Sequence, residues 1–285
     1  MKKTIIIGAI IFIIGAILAF IGLSNGASTS LVWQNGLKID RRINQTKQVS
    51  KFNSIHLDTN NYEVKIKSGT NYSVEVKGSK MDKPKVAVSH KALTIESAEN
   101  ESGTFGFNDH DNEIIITVPN GTKLDDVTGS TNYYELEINN ITANNINLDT
   151  DSSLDANNLI VTGGGHITST NGEIDLENSN LTNVNIKQTN GSVSAENSTF
   201  TSGRIENENG SLELDDVTFN QTVTLSNDNG KIEIENPITE GYQLTSTNGS
   251  IHLFGNHQSS NLNQNENATN KIVATTTNGK IEISN

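Results

Sequence analysis

An Asn-Gly pair followed by alternating apolar residues recurs along the second half of the chain. Its spacing constrains the fold more than any other feature. The first full copy reads Asn171-Gly172-Glu173-Ile174-Asp175-Leu176, and the pair returns at Asn190-Gly191, Asn209-Gly210, Asn229-Gly230, Asn248-Gly249 and Asn278-Gly279. The steps are 19, 19, 20, 19 and 30 residues. A period near 20 marks a repeat architecture, in which a unit buries its apolar face only against its neighbours.

Two residues after each Gly stand Ile174, Val193, Leu212, Ile232, Ile251 and Ile281; four after stand Leu176, Ala195, Leu214, Ile234, Leu253 and Ile283. Period-two alternation turns these columns to one face of a strand. Leu181, Phe200 and Phe219, nine after, supply an apolar plug, with Ile238 one place early; Ile186, Ile205 and Leu244 mark a second strand, with Leu225 one place late. Asn-Gly is also the strongest short hairpin signal, which leaves an antiparallel meander as the alternative. The constant register and the variable half-way corners (Asn178-Ser179, Asn197-Ser198, Asp215-Asp216, Asn236-Pro237) suit a β-solenoid better. At the corner, Gly takes positive φ freely and Asn tolerates it. Asn178, Asn197 and Asn236 are expected to stack as a second amide ladder.

Upstream, Ser54 to Thr59, Tyr62 to Lys67, Tyr72 to Lys77, Lys85 to Val88, Ala92 to Glu96 and Glu113 to Val118 alternate as strands, and Glu99 to Asp111 reads as a loop. Asn60-Asn61-Tyr62 and Thr131-Asn132-Tyr133-Tyr134 already resemble the repeat, with Tyr in place of Gly. The expected fold is therefore all-β: a β-solenoid of 19–20-residue coils over residues 131–285, preceded by a strand-rich region at 51–130 that merges into it.

The N-terminus is of another kind. After residues 1–4, Ile5 to Leu23 runs without a charge, nearly long enough to span a hydrocarbon core of about 30 Å. Lys2 and Lys3 hold the near end on the cytoplasmic side. Residues 5–23 are expected to form a transmembrane anchor; a cleaved signal, with Ser24-Asn25-Gly26 before Ala27, is the competing reading. Residues 24–50 form a linker and lead-in that holds the only Trp, Trp33, read as packing under the first coil or sitting at the lipid interface.

The chain has no Cys, so the fold uses no disulfide, thiolate site or lipidated cysteine. Without Lys2 and Lys3, 18 basic residues face 33 acidic ones, a net charge of −15, which disfavours nucleic acid and other long polyanions. The outward column three after each Gly (Asp175, Ser194, Glu213, Glu233, His252, Glu282) supplies one carboxylate per turn with two breaks, unlike the converging oxygens that Ca²⁺ requires. His56, His90, His110, His166, His252 and His257 are scattered singly, and Gly163-Gly164-Gly165 lacks the Lys of a phosphate loop. No catalytic, cofactor-binding or metal-ligating residue is assigned, and the chain is not expected to be an enzyme. Residues Gly255 to Asn270 read as an exposed inserted loop. The strand Lys280 to Ser284 reads as an uncapped edge, expected to pair with a second chain or to be covered by that loop.

Phe52-Asn53-Ser54-Ile55-His56-Leu57, Glu63-Val64-Lys65-Ile66-Lys67-Ser68-Gly69, Leu93-Thr94-Ile95, Ile114-Ile115-Ile116-Thr117-Val118-Pro119 and the Thr-Asn-Gly coils resemble the bacterial DUF4097 ("putative adhesin") family, including the membrane-anchored Lia-operon G-type proteins of Gram-positive bacteria. The resemblance runs from about Phe52 to the C-terminus. It implies a β-repeat, extracytoplasmic protein at the cell surface without assigned catalytic residues, with a role in envelope-stress signalling as the alternative. The sequence thus points to a single-pass membrane protein whose C-terminal domain lies outside the cell and meets a protein or glycan partner there, with a glycan-active β-helix enzyme as the remote alternative.

Overall fold

The structure, a computed structural model, describes residues 2–24, 31–33, 37–97, 103–105, 112–258 and 260–285. The side chain of Trp33, the cleavage-site residues Asn25 to Ala27 and most of the loop 99–111 lie outside the described residues. Within that loop, Gly103–Phe105 is a strand rather than loop, and it pairs antiparallel with Leu31–Trp33, which pairs in turn with Leu37–Ile39. Lys2–Ser24 is one α-helix. Its segment Ile5–Gly22 has a mean hydropathy of 3.0, with none of it buried, so it is apolar and long enough to cross a membrane.

The remaining strands form a single sheet that coils on itself. Each turn has one strand before the corner and one after, and both pair parallel and in register with the turns above and below. Thus Val193 lies between Ile174 and Leu212, and Ile186 between Ile167 and Ile205. Parallel strands buried on their inner face need alternating apolar residues there, which the two columns after each Gly supply. All twelve residues of those columns are buried, as are Leu181, Phe200 and Phe219, whose last two rings stack with centroids 6.2 Å apart. Ile238 departs from the expected plug. It is 63% exposed, because it is the register partner of Thr218, the residue before the buried Phe219, and so takes the outward position of the alternation.

The stack does not begin at residue 131. Ser54–Thr59 and Glu63–Gly69 form a coil in parallel register with Lys123–Thr131 and Leu136–Asn139, so residues 51–130 and 131–285 share one sheet. On its other side this coil meets Ala92–Glu96 and Glu113–Pro119. Spatial order therefore departs from chain order at the N-terminal end.

It departs again at the C-terminal end. Lys271–Asn278 lies between Val223–Asn229 and Gly241–Asn248, and Ile281–Ser284 lies between Ile232–Glu235 and Ile251–Leu253. The terminal coil fills a slot that the preceding coil leaves open. The five residues 236–240 carry the chain past that slot, a climb of two strand spacings or roughly 10 Å, well within their extended reach. The expectation that Lys280 to Ser284 is a bare edge available for self-association is thus overturned, since both of its edges are already hydrogen-bonded. The insert is no free loop either. Asn256–Gln258 and Asn261–Gln264 pair antiparallel on the outermost coil and cap the stack. Antiparallel strands close the other end too, with Lys85–Ser89 on Ala92–Glu96, and Ser73–Ser79 on Glu113–Pro119 followed by Arg42–Gln48.

The Asn-Gly corner differs from the sequence-based expectation in where its amide ladder lies. Asn190, Asn209, Asn229, Asn278 and Asn248 form the amide ladder, each joined to the next by a side-chain hydrogen bond of 2.9–3.2 Å, and Asn190 reaches down to Asn171 at 3.4 Å. Positive φ occurs at the corner residues Gly172, Gly191, Gly210 and Gly230, as expected, and also at the half-way corners, at Asn178, Asn197, Asp216, Asn236 and Phe254, where an amide ladder was expected. The Gly is fixed by crowding: a Cβ on Gly210 would lie 1.8 Å from the carbonyl oxygen of Gly191. Two residues before each corner Asn sits a buried polar side chain the repeat reading missed. Asn207 Nδ2 donates to the carbonyls of Gly191 (2.9 Å) and Ser211 (3.1 Å), and Gln188, Asn227, Ser246 and Thr276 likewise serve the carbonyl of an adjoining corner Gly. Burial of these carbonyls in the stack requires such partners.

Candidate functional site

The outward column after the corner becomes one line up the sheet. Asp155, Asp175, Ser194, Glu213, Glu233, Glu282 and His252 are successive register partners. A second line runs through Glu177, Glu196, Asp215 and Glu235. Between them lies a shallow groove of about 270 Å³ lined by Glu196, Glu213, Asp215, Glu233 and Glu235. It brings carboxylates side by side, the feature on which a glycan-active reading would depend. Acid catalysis on a glycoside needs a carboxyl whose pKa is raised. Glu213 is instead held below its ordinary value, first by hydrogen bonding to Lys231 and Ser211, so it stays ionised; Lys231 Nζ lies 3.0 Å from Glu213 and 2.5 Å from Glu233. At Asp155 desolvation and then the neighbouring charges of Asp175, Glu137 and Glu177 raise the pKa, the mark of like charges stacked at strand spacing.

A larger concavity than that groove lies elsewhere, at the corners near the N-terminal end of the stack. A cleft of about 590 Å³ is lined by Lys51, Phe52, Asn53, Tyr72, Lys91, Asn120, Gly121, Thr122, Lys123 and Asp125. Three pieces of local chemistry place these groups together. Lys91 sits at a hairpin tip with φ 64, and its carbonyl accepts from the amides of Asn53 (2.8 Å) and Ser54 (3.3 Å), which fixes the Lys51-Phe52-Asn53 lead-in against it. Phe52 is fully buried and meets the Tyr72 ring edge-on at 4.9 Å, forming the apolar floor. The turn Asn120-Gly121-Thr122, closed by Thr122 N donating to Pro119 O (3.0 Å), brings Lys123 to the rim. Asn53 Nδ2 donates to Asp125, occupying the carboxylate nearest the lysines.

Lys51, Lys91 and Lys123 are exposed and form no ion pair with any described residue, whereas Lys65, Lys77, Lys187, Lys231 and Lys280 are all paired with glutamates. Three ammonium groups, two primary amides, a hydroxyl and an aromatic edge thus surround one cleft, a lining with the hydrogen-bonding and charge character to hold an anionic, hydroxyl-rich group. No local pattern marks this cleft, because its residues come from four separate turns and follow no motif.

The histidines are not all single. His252 and His257 stand opposite each other in the antiparallel pair of Ile251–Leu253 with Asn256–Gln258, with His257 Nδ1 and His252 Nε2 at 2.7 Å. His56 Nδ1 meets the Thr128 hydroxyl at 3.1 Å. Among the described residues, no group of three or more His, Asp or Glu converges as a metal cage.

A family model described as Toastrack DUF4097 matches residues 52–284. Among curated protein sequences, none matches the chain. Three solved structures are similar over most of their length. A putative adhesin from Bacteroides fragilis is 14% identical, with 85% of this chain and 97% of that one covered and a TM-score of 0.45. A putative adhesin from Parabacteroides merdae is 12% identical over 84% and 96% of the two chains, with a TM-score of 0.30. A putative cell adhesion protein from Clostridium sporogenes is 15% identical over 86% and 99%, with a TM-score of 0.28.

Proposed function

We propose that this chain, which belongs to the DUF4097 (Toastrack) family, is a membrane-anchored surface interaction module that seats an acidic saccharide unit in the three-lysine cleft. The observation that carries the reading is the set of unpaired Lys51, Lys91 and Lys123 around a polar cleft with an aromatic floor. A carboxylated or sulfated sugar meets each feature: its anion the ammonium groups, its hydroxyls Asn53, Asn120 and Thr122, its apolar face Tyr72. The net negative domain does not forbid this. The nearest coil of the carboxylate groove, that of Glu196, lies three coils from that of Lys123, roughly 14 Å at strand spacing and beyond a Debye length of about 8 Å. A long polyanion would meet that groove; a single acidic unit would not.

The helix Lys2–Ser24 supports single-pass attachment, with Lys2 and Lys3 on the cytoplasmic side and the solenoid outside. The coil stack then acts as a rigid spacer, because every turn is hydrogen-bonded to its neighbours and both ends are capped. We read the module as non-catalytic.

The test is binding of the full chain, in detergent, to immobilised glycans with and without carboxylate or sulfate groups. Capture of the acidic glycans, weakened by salt and by at least about tenfold in a K91E/K123E variant, is the expected result. Equal binding by that variant, or binding to neutral glycans alone, would overturn the reading.

A further inference from the structure

We propose that His252 and His257 form a binding site for a hydrated divalent transition-metal ion of the Zn²⁺ type, on the cap at the C-terminal end of the stack. The local chain geometry sets the pair. Phe254 (φ 48) and Gly255 (φ 81) are the two residues of a tight hairpin with both φ positive, the arrangement whose twist suits antiparallel strands. A two-residue turn fixes the register, so His252 must face His257 across the pair. Phe254 is held by an edge-on contact with Tyr242 at 5.6 Å, which pins the turn to the outermost coil.

The imidazole rings lie 4.7 Å apart, centroid to centroid, and tilted 34°. The 2.7 Å contact between His257 Nδ1 and His252 Nε2 is one hydrogen bond, so one nitrogen donates and the other accepts. Two ligands of a tetrahedral ion at about 2.0–2.1 Å stand roughly 3.3 Å apart. A small side-chain rotation opens the pair to that distance, and the donor ring moves its proton to its other nitrogen. Both lone pairs then point at one site, and the exposed hairpin leaves the remaining positions to water.

Glu282 lies beside the site without being a ligand. It is the register partner of His252 on the other side, and its charge interacts with that imidazole. Glu282 is itself ion-paired to Lys280, so it adds little net charge there, and the imidazole pair carries the proposal. Imidazole donors suit Zn²⁺, Cu²⁺ and Ni²⁺ and are poor partners for Mg²⁺ or Ca²⁺. An ion bridging the two strands would tie the cap hairpin to the stack, so binding should stabilise the fold by mass action.

The experiment is calorimetric titration of the full chain in detergent with ZnCl₂, and with MgCl₂ for comparison, alongside thermal unfolding with and without Zn²⁺. One saturable Zn²⁺ site with no Mg²⁺ counterpart and a Zn²⁺-dependent rise in Tm is expected. His252→Gln and His257→Gln should each weaken Zn²⁺ binding by at least about tenfold and abolish the Tm rise. Gln retains hydrogen-bonding capacity at the half-buried position 252 and the exposed position 257, so the metal-free Tm should stay close to that of the parent chain. Zn²⁺ isotherms unchanged in both variants, or no saturable binding below about 1 mM, would overturn the proposal.

Discussion

Asn278 Nδ2 donates to Asn229 Oδ1 at 2.9 Å, although 49 positions separate the two residues, and Asn248, which precedes Asn278 in the chain, lies on its far side at 3.0 Å. The last coil is therefore an inner layer of the stack. Its apolar pair, Ile281 and Ile283, meets Ile232 and Ile234 on one side and Ile251 and Leu253 on the other.

Removing residues 271–285 should do more than shorten the protein. It would leave an unfilled slot between two coils and expose two rows of unpaired backbone groups. We expect such a truncation to self-associate, seen by light scattering, whereas the parent chain should not associate through this strand. The milder change Ile281→Ala should cost about 2–5 kcal/mol in urea unfolding, because the side chain is fully buried.

Gly210→Ala should be among the most damaging single substitutions, since its Cβ would lie 1.8 Å from a backbone oxygen that cannot move without shifting the coil. Gly121→Ala meets no atom within 4 Å and suffers only the strain of φ 75, on the order of 1 kcal/mol. Paired denaturation curves should separate the two clearly, and equal losses would show that crowding is not what fixes the Gly column.

Asn207→Leu should lower stability by about 1–3 kcal/mol despite adding apolar bulk, because the carbonyls of Gly191 and Ser211 lose a buried donor. Chemical denaturation checks this, with Asn207→Gln, whose amide is the type Gln188 already uses, as the partial rescue.

Asp155→Asn should stabilise the protein near neutral pH and have little effect in acid. Desolvation first, and then Asp175, Glu137 and Glu177, raise the folded-state pKa of Asp155 above its ordinary value. The folded state therefore binds this proton more tightly than the unfolded one. Ionised Asp155 costs stability above its folded pKa, and that cost vanishes once pH falls below the ordinary carboxylate value of about 3.9. Tm measured across that window should show the variant's advantage shrinking as pH falls.

The inward columns were legible because burial on a parallel sheet leaves only one periodicity for apolar residues. Ile174 and Leu176 and their equivalents are buried as the alternation required. Ile238, one place early, pairs with Thr218 rather than Phe219 and so faces outward. The lysine cleft and the histidine pair were illegible for a different reason. Lys51, Lys91 and Lys123 belong to separate turns, and His252 meets His257 only because Phe254 and Gly255 fold the insert back on its own coil.

The sequence by itself determined the coil: its period, its inward faces, the corner residue and the apolar N-terminal helix, since each depends on spacing that a local pattern carries. The order of the coils was decided only in the folded structure. Each coil from Asn171 onward presents the same Asn, Gly and apolar columns to its neighbours, so the pattern is satisfied equally whether Asn278 stacks on Asn248 or between Asn248 and Asn229. What breaks that degeneracy is non-local: the five-residue climb after Glu235, and the antiparallel cap that closes the outer edge of Gly241–Asn248 and leaves the inner slot for the C-terminal strand.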